Sequence, residues 1–324
     1  MSKRVFKFSL ITLLSIILLM GCSDSDSEDV IDLQIGSATQ TGNFYPIGAS
    51  LAQLWNDEVE GVNAASQATD GSAQNLNLMS EGKAKVGLTT MGDLYDAYNG
   101  EGQFKDNQYK DVRVITKLYS DAAQVVVRKG SEIDDVDDLK DHKYVPGAPG
   151  SGAKKLSEEV LSGYDMTFDD VNPQYVGFDE ATDLMRNKQV VGAQVMSGIP
   201  TSAVIDMISS ANGELISLSD EAIDNITNDY PWLEEFTIPA DTYEGVDEDI
   251  KTVAQPSTIV VSKDVPDEVV YELTKVMWGN LDVLHDAVAA TKNMDLDTAA
   301  QDLGDVPLHP GAEKFYEEEG VLDN

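Results

Sequence analysis

The stretch at residues 31–59, IDLQIGSATQTGNFYPIGASLAQLWNDEV, combines a strand, a loop of small residues and a helix. Its first six residues predict the strand. Residues 46–59 predict the helix, because Leu51, Leu54 and Trp55 lie on one helical face. The stretch is therefore a strand–loop–helix unit, the repeating element of α/β proteins.

The alternation of strands and helices continues along most of the chain. β-Branched and apolar runs predict the strands, and apolar residues at helical spacing predict the helices. This order of elements predicts an α/β protein with parallel strand pairing. The further strands lie at 62–68, 85–89, 112–118, 124–127, 142–145, 174–177, 190–195, 215–218 and 258–261, and the further helices at 71–81, 93–98, 135–140, 154–161, 180–187, 201–210 and 267–286.

These elements fall into two α/β blocks. The chain enters the second block near residues 120–124 and returns to the first near 253–258. Two crossings of this kind are typical of a hinged binding protein with a ligand cleft between two lobes. We therefore predict that lobe I comprises residues 31–121 and 253–324, and that lobe II comprises residues 122–252.

The N-terminus has the features of a bacterial export signal. Basic residues precede the mostly apolar segment 8–19, which is shorter than the about 20 apolar residues that a membrane-spanning helix needs. The segment has the proportions of a signal-peptide core, and LMGC at 19–22 resembles a lipobox. We predict a lipoprotein signal peptide over 1–21, lipidation of Cys22 and an acidic tether over 22–30. The lipid would hold the protein on the cell membrane, facing the periplasm or the cell exterior. The alternative is an anchor helix followed by a buried cysteine.

The chain is strongly acidic. It has 22 Lys and Arg residues against 58 Asp and Glu residues, and its formal net charge at pH 7 is −36. A surface of this charge repels nucleic acid and anionic lipid headgroups, so we exclude both as partners. The acidity indicates either a well-solvated surface or adaptation to high salt, where a Debye length of about 3 Å at 1 M screens the repulsion between carboxylates. We favour salt adaptation.

The sequence lacks the patterns that are typical of a catalytic site. The single cysteine excludes an internal disulfide bond and a cysteine-based zinc site. The three histidines, His142, His285 and His309, show neither the spacing of zinc ligands nor the surroundings of a catalytic base. We therefore predict a protein with no catalytic residue, no metal site and no cofactor.

Four junctions at the ends of predicted strands are candidates for a ligand site. They are GSATQTGNFYP at 36–46, TTMGD at 89–93, PGAPGSGA at 146–153 and SGIP at 197–200. Ligands of open α/β sheets bind at this end of the strands, and helix N-termini favour negative charge. Small residues also let backbone N–H groups approach a ligand. The alternative is that the junctions are ordinary loops and helix caps.

Three side chains near these junctions have two possible roles. Asp93 can accept a hydrogen bond from the ammonium group of a ligand, or it can cap a helix. Ser151 can bind a ligand or cap the helix that follows it. Tyr119, near the first crossing, can stack on or hydrogen-bond a ligand, or it can pack in the core.

Eight segments, spread over nearly the whole mature chain, carry a family resemblance. The segments are IGSATQTGNFYPIG from Ile35, VVVRKGSEIDDVDDLKD from Val125, GAPGSG from Gly147, GFDEATDLM from Gly177, SGIP from Ser197, TIPADTYEGVDEDIKTVA from Thr237, VPDEVVYELTK from Val265 and PLHPGAEKFYEEEG from Pro307. In this order the chain resembles the TAXI family of solute-binding proteins, which serve TRAP-type secondary transporters.

The resemblance implies an α/β protein with a type II periplasmic-binding-protein fold, in which two lobes are joined by a two-crossing hinge with a ligand cleft between them. It also implies binding without catalysis. The expected solute is a small carboxylate, a glutamate-like amino acid or a dicarboxylate, which is delivered to the integral membrane subunits of a TRAP transporter. We expect a monomer. Together, the junctions and the family's cleft predict the ligand-binding residues Ser37, Thr41, Gly42, Asn43, Tyr45, Met91, Gly92, Asp93, Tyr119, Gly150, Ser151, Gly152, Ser197 and Gly198.

The sequence departs from the family pattern in the predicted cleft. Residues 38–41 partly replace glycines of the first loop, and Met91 and Gly92 stand where Gln-Ser is common before the aspartate. The candidate segments contain no arginine, although the related dicarboxylate-binding family uses one to hold its carboxylate. The alternative functions are a surface antigen or sensor domain that has this fold without transport, and an enzyme built on the fold.

Overall fold

The structure of the protein is a computed structural model, which describes residues 30–322. The predicted signal peptide, the predicted lipidation site Cys22 and the tether up to residue 29 lie outside the described residues. Among residues 30–322, no helix combines the length and the apolar character that crossing a membrane requires.

Residues 30–322 form ten strands and ten α-helices. The strands are β1 (Ile31–Gly36), β2 (Val62–Gln67), β3 (Val86–Thr90), β4 (Val112–Arg128), β5 (Lys143–Val145), β6 (Asn172–Pro173), β7 (Gly192–Ser197), β8 (Gly213–Ile216), β9 (Glu234–Ile238) and β10 (Ile250–Ser262). The helices are α1 (Phe44–Glu58), α2 (Ser72–Ser80), α3 (Met91–Asn99), α4 (Gly152–Ser162), α5 (Phe178–Arg186), α6 (Ser202–Ala211), α7 (Asp220–Asp229), α8 (Asp267–Gly279), α9 (Leu281–Ala287) and α10 (Pro310–Glu318).

The strands join in a sheet with the order β2-β1-β3-β10-β4-β7-β5-β6, while β8 pairs with β4 and β9 pairs with β10. Pairing is parallel between β1 and its neighbours β2 and β3, and between β5 and its neighbours β6 and β7. Helices or long connections join these strands, as parallel pairs require. The predicted α/β architecture is therefore confirmed, with β10 added antiparallel to β3 and β4.

Strands β4 and β10 divide the sheet into two halves. They pair with each other as far as the opposed residues Ala122 and Ala254. Beyond that point, β4 lies between β7 and β8, and β10 pairs with β9. The first half comprises β1–β3, α1–α3 and α8–α10, and the second half comprises β5–β9 and α4–α7. The residue boundaries of the two lobes stay predictions.

Each half has an apolar core on both faces of its sheet. The buried apolar side chains of the described residues form four clusters, two in each half. In the second half, Val125 and Val127 belong to one cluster and Val126 to the other. Side chains alternate between the two faces of a strand, so this apolar run serves both cores at once.

The first crossing strand differs from the prediction. The strands predicted at 112–118 and 124–127 are one strand, Val112–Arg128. Polar residues interrupt the hydrophobic pattern between them, and this interruption resembles a loop in the sequence. The side chain of Asp121 is nevertheless buried, so the strand continues through the crossing.

Other predicted elements differ in their bounds. The helix predicted at 267–286 is interrupted after Gly279 and begins again at Leu281, because glycine and asparagine are weak helix formers. The strand predicted at 174–177 lies instead at Asn172–Pro173. Helix α7 and strand β9 have no counterpart in the prediction, although Ala222, Ile223 and Ile226 of α7 form one buried face.

Candidate functional site

A pocket lies between the two halves, at the carboxyl ends of the parallel strands. It encloses about 480 Å³, including space open to solvent. The first half contributes residues that follow β1 and β2, and the second half contributes residues that follow β5 and β6 and the last two residues of β7, together with Asp121 from β4. The lining residues are Ala38, Thr39, Gly42, Asn43, Phe44, Asp70, Gly71, Ser72, Asp121, Ala148, Ser151, Gly152, Ala153, Gly177, Phe178, Met196 and Ser197.

Four helices begin at this pocket. The first residues of α1, α2, α4 and α5 are Phe44, Ser72, Gly152 and Phe178, and all four line it. The first backbone N–H groups of a helix have no partner within the helix, and its N-terminus carries about half a positive charge. The lining residues, all within 30–322, include no lysine or arginine. The pocket can therefore attract an anionic group through helix N-termini.

Asp121 gives the pocket a negative group of its own. Its Oδ2 accepts a hydrogen bond of 2.6 Å from the Ser257 hydroxyl, whereas its buried Oδ1 has no hydrogen-bond partner among the described residues. Burial raises the pKa of this carboxyl to about 7, although the hydrogen bond from Ser257 and the nearby Gly198 N–H oppose the shift. An ionised, buried carboxylate is costly without a positive partner, so Asp121 is suited to receive one from a ligand.

The loop between β5 and α4 brings a helix N-terminus close to the first half. The Ser151 hydroxyl accepts a hydrogen bond of 3.1 Å from the Lys154 N–H and donates one of 2.7 Å to the Ala148 carbonyl, so it caps α4. A Cβ on Gly152 would lie 2.8 Å from Met196 Cε and 2.9 Å from Ser72 Oγ. Glycine at position 152 thus permits a close approach between the two halves.

Direct hydrogen bonds join the two halves around the pocket. The Asn43 side-chain amide donates to the Gly198 carbonyl at 3.1 Å, and the Gln74 N–H donates to the Gly150 carbonyl at 3.2 Å. Asn43 and Gln74 belong to the first half, and both glycines belong to the second. The structure therefore shows the halves closed on the pocket.

The structure brings together only part of the predicted site. Gly42, Asn43, Ser151, Gly152 and Ser197 line the pocket. Gly150 and Gly198 adjoin it and accept the hydrogen bonds that join the halves.

The other predicted ligand-binding residues of the first loop, Ser37, Thr41 and Tyr45, do not line the pocket. The Ser37 hydroxyl lies 2.6 Å from the Ser66 hydroxyl beneath the loop. The hydroxyl of Thr41 is buried without a hydrogen-bond partner, and Tyr45 is half-buried in the first turn of α1.

The predicted residues of the β3–α3 junction and Tyr119 are also outside the pocket lining. Met91 and Tyr119 line a separate groove beside Lys117 and Trp232. The N–H of Gly92 donates to the Gln255 side chain at 2.9 Å.

Asp93 is completely buried in the first turn of α3, where its carboxyl accepts a hydrogen bond of 3.2 Å from the Thr90 hydroxyl. The alternative in which Asp93 caps this helix is wrong, because the N-cap residue is Thr90.

Several pocket residues have no counterpart in the predicted site. Asp121 is the most consequential, and its signal in the sequence is a carboxylate within a run of β-strand residues. Gly71 and Ser72 lie at the start of a predicted helix, a position that by itself favours a cap over a ligand site. Phe178 and Met196 give no polar signal and reach the pocket only through the fold.

The sheet order, the two crossing strands and the pocket between the halves define a two-lobed periplasmic-binding-protein fold. Residues 35–320 match the model of the NMT1-like family, and the chain belongs to that family.

Two solved structures share the fold. The alkanesulfonate-binding protein SsuA of Xanthomonas axonopodis pv. citri, bound to MOPS, is 12% identical, and the match covers 88% of this chain and 83% of that protein with a TM-score of 0.50. A protein of Bordetella bronchiseptica RB50 is 17% identical, and the match covers 90% of this chain and 83% of that protein with a TM-score of 0.54. The predicted fold class is confirmed.

Proposed function

We propose that the protein is an extracytoplasmic solute-binding protein that captures a small carboxylate, specifically a glutamate-like amino acid, and delivers it to the integral membrane subunits of a TRAP-type transporter. The observation that carries this proposal is the position of Asp121. Its carboxyl, of which Oδ1 has no hydrogen-bond partner among the described residues, lines a pocket at which four helices begin. The protein binds its solute without a catalytic step and acts as a monomer.

The helix N-termini supply the anion-binding part of the pocket. Backbone N–H groups at the starts of α2 and α4 are positioned beside Ser72, whose hydroxyl oxygen accepts a hydrogen bond of 3.3 Å from the Thr90 N–H. The Ser72 hydroxyl proton is thus free to be donated to a ligand oxygen. Each hydrogen bond to a charged group contributes about 1.5–3 kcal/mol, so a few of them can hold a carboxylate without an arginine.

Asp121 favours an amino acid over a dicarboxylate. A second carboxylate near Asp121 would meet a like charge in a buried place, whereas an ammonium group would neutralise it. Because the pKa of Asp121 is about 7 without a ligand, the ammonium group binds best where this carboxyl is ionised. Amino-acid affinity should therefore weaken as the pH falls below about 7.

Four solutes test the two ends of the pocket separately. L-Glutamate and taurine carry an ammonium group beside a carboxylate or a sulfonate, and glutarate and ethanesulfonate are their counterparts without it. By calorimetry we expect L-glutamate to bind about 10–100-fold more tightly than glutarate. Asp121→Asn should bring this ratio close to one. Asp70→Asn, which changes an exposed lining carboxyl in the same way, should alter the ratio much less.

The opposite results are equally clear. Equal affinity of the wild type for L-glutamate and glutarate would remove Asp121 as the ammonium partner. Preference for taurine over L-glutamate would change the solute class to sulfonates, the class named for the SsuA structure. If none of the four solutes binds, the pocket does not serve an anionic solute.

The transporter type rests on the resemblance of the eight segments to the TAXI family. Proteoliposomes with TRAP-type membrane subunits from the same organism should accumulate labelled solute only when the protein is added. Uptake that requires ATP and ABC-type subunits would assign the protein to that transporter class instead. Binding without uptake by either system would favour a sensor domain.

Lipid anchoring at Cys22 is part of the proposal. Labelled palmitate should mark the wild-type protein but not Cys22→Ser, which should accumulate as an unprocessed precursor. Equal labelling of the two proteins would contradict a lipid on this cysteine.

A further inference from the structure

A second group of buried charges lies between the two halves, beside the pocket and outside its lining. Asp93 and Asp96 extend from α3 of the first half, and Lys155 and Glu159 extend from α4 of the second half. Trp232, from the segment between α7 and β9, completes the group. We call these five residues the Lys155 cluster.

Lys155 and Trp232 connect the halves within this cluster. The Lys155 ammonium lies 2.5 Å from a carboxylate oxygen of Asp96 and 3.5 Å from one of Glu159. The Trp232 indole N–H donates to Glu159 at 3.2 Å, and its ring centre lies 5.2 Å from that of Tyr95 on α3. Trp232 also packs against an apolar core of each half. Opening the pocket would break the contacts to Asp96 and Tyr95.

The cluster has more carboxyl groups than positive groups. Asp93, Asp96 and Glu159 share one ammonium, and Asp93 Oδ1 and Glu159 Oε2 are buried without a hydrogen-bond partner. Each of these two oxygens lacks both water and a donor, so the ionised form of its carboxyl is costly. When the halves separate, water can reach these groups and all three carboxyls can ionise.

We propose that the Lys155 cluster is a latch that holds the two halves closed and binds a proton as it closes, so that capture of the solute is linked to pH. The inference rests on the proposed solute-binding function in one respect, namely that closure serves capture. The proposed role of the cluster is inferred from the contacts between the halves and from the shortage of positive groups.

Protonation is expected at Glu159. Burial raises its pKa to about 8, and Asp93 adds to this shift although Lys155 opposes it. Burial also raises the pKa of Asp93 to about 6, against the attraction of Lys155. Closing raises the pKa of the Glu159 carboxyl, so the bound proton stabilises the closed form. This contribution is complete below the ordinary glutamate pKa of 4.5 and is lost as the pH rises through about 8.

Among the charged groups of residues 30–322 that line the groove beside the cluster, none reverses the sign of this pH dependence. The groove beside it contains a second lysine, Lys154, which is partly exposed and lies 3.9 Å from Glu158. Its other ionisable side chains are acidic or phenolic. The titratable or charged groups lining the groove, beyond those of the cluster, are Glu101, Lys154, Glu158 and Tyr230.

The test measures closure without any solute. The chain from residue 23 onward retains the whole compact unit and lacks cysteine, so Gln53→Cys on α1 and Asp206→Cys on α6 provide two exposed sites for spin labels. The distance distribution between the labels is recorded from pH 5 to pH 9. The closed population of the wild type should fall about threefold or more as the pH rises through 8.

Three variants separate the contributions. Lys155→Met should lose most of the closed population at every pH, while Lys154→Met, the matched change one residue away, should behave as the wild type. Glu159→Gln should stay closed with little pH dependence, because its side chain is neutral throughout. A fold check by circular dichroism accompanies each variant.

Two outcomes would overturn the proposal. If Lys155→Met closes as the wild type does, the cluster is not a latch. If the wild type and Glu159→Gln share one pH profile, closing does not bind a proton at Glu159. Since no solute is present, a wrong assignment of the solute would leave both results unaffected.

Discussion

The pocket and the Lys155 cluster are neighbouring regions between the same two halves, and each contains a buried carboxyl group with an unpartnered oxygen. In the cluster, Asp96 has the ammonium of Lys155 as a permanent counter-charge. In the pocket, the one side-chain partner of Asp121 within the described part of the chain is the uncharged Ser257 hydroxyl. A carboxyl with a built-in cation can hold the structure together, whereas one without it is available for a cation that arrives with the solute.

This contrast explains why the two regions need not compete. The cluster can close the halves from outside the pocket, so the pocket itself can keep groups that are poorly satisfied until a solute binds.

The largest effect is expected at Gly152, which lies where the two regions meet. A Cβ at this position would come within 2.8 Å of Met196 Cε, 2.9 Å of Ser72 Oγ and 3.0 Å of Asp93 Oδ2. Gly152→Val should therefore prevent the halves from closing and weaken solute binding by about 100-fold or more, which is about 2.7 kcal/mol. Calorimetry and the spin-label distances should change together.

Gly279→Ala is the control for this change. A Cβ at Gly279 would meet no atom within 4 Å, so binding should stay at the wild-type level. Wild-type affinity in a folded Gly152→Val protein would show that the two halves do not need this approach.

The second expected effect is on the free energy of unfolding, which should rise in a variant of the pocket and fall in a variant of the cluster. Asp121→Asn removes an ionised carboxyl that lacks a cation, so at pH 8 the solute-free protein should gain on the order of 2–4 kcal/mol in its free energy of unfolding. Asp96→Asn removes the closest partner of Lys155, and should lose about 1.5–3 kcal/mol. Urea unfolding of both variants measures the difference.

The pH dependence checks the cause of the gain. Burial raises the pKa of Asp121 to about 7 from an ordinary value of 3.8. The protonated carboxyl favours the folded state below about 3.8, and this contribution is lost as the pH rises through about 7. The advantage of Asp121→Asn should thus be greatest above pH 7 and shrink towards pH 4. A gain that does not vary with pH would point to a change in packing instead.

The sequence could predict the fold and part of the pocket. Strand–helix alternation and the two crossings predict the fold, because periodic burial is a local property of the sequence. Gly42, Asn43, Ser151, Gly152 and Ser197 could be predicted to line the pocket because the carboxyl ends of strands meet at one edge of a sheet.

Asp121 could not be predicted in the same way. In the sequence it resembles a loop residue between two hydrophobic runs, and only the continuous pairing of β4 with β10 buries it. Asp93 shows the opposite case, since its place at a strand end favours a ligand contact. In the structure it lies outside the pocket lining, and its pKa responds to the charge of Lys155, a residue that is distant in the sequence.

A smaller effect is expected from salt. The net charge of −36 lies mostly on exposed carboxylates, which repel one another in dilute buffer. Molar salt shortens the Debye length to about 3 Å, and the urea midpoint should rise accordingly. Buried charges are screened much less, so the difference between Asp121→Asn and Asp96→Asn should persist in high salt. An unchanged midpoint would show that the acidity is no salt adaptation.

The smallest effect is expected from Ser151→Ala, which separates support of the pocket from contact with the solute. Both hydrogen-bonding roles of the Ser151 hydroxyl are satisfied within its own loop, by the Lys154 N–H and the Ala148 carbonyl. Loss of such a helix cap costs about 1 kcal/mol of stability. The hydroxyl has no proton left for the solute, so affinity should fall by less than about tenfold, through a looser α4 N-terminus. Ser219→Ala, which removes the equivalent cap of α7 far from the pocket lining, should lower the urea midpoint similarly and leave affinity unchanged. A much larger loss of affinity in Ser151→Ala, with an unchanged midpoint, would instead place this hydroxyl in direct contact with the solute.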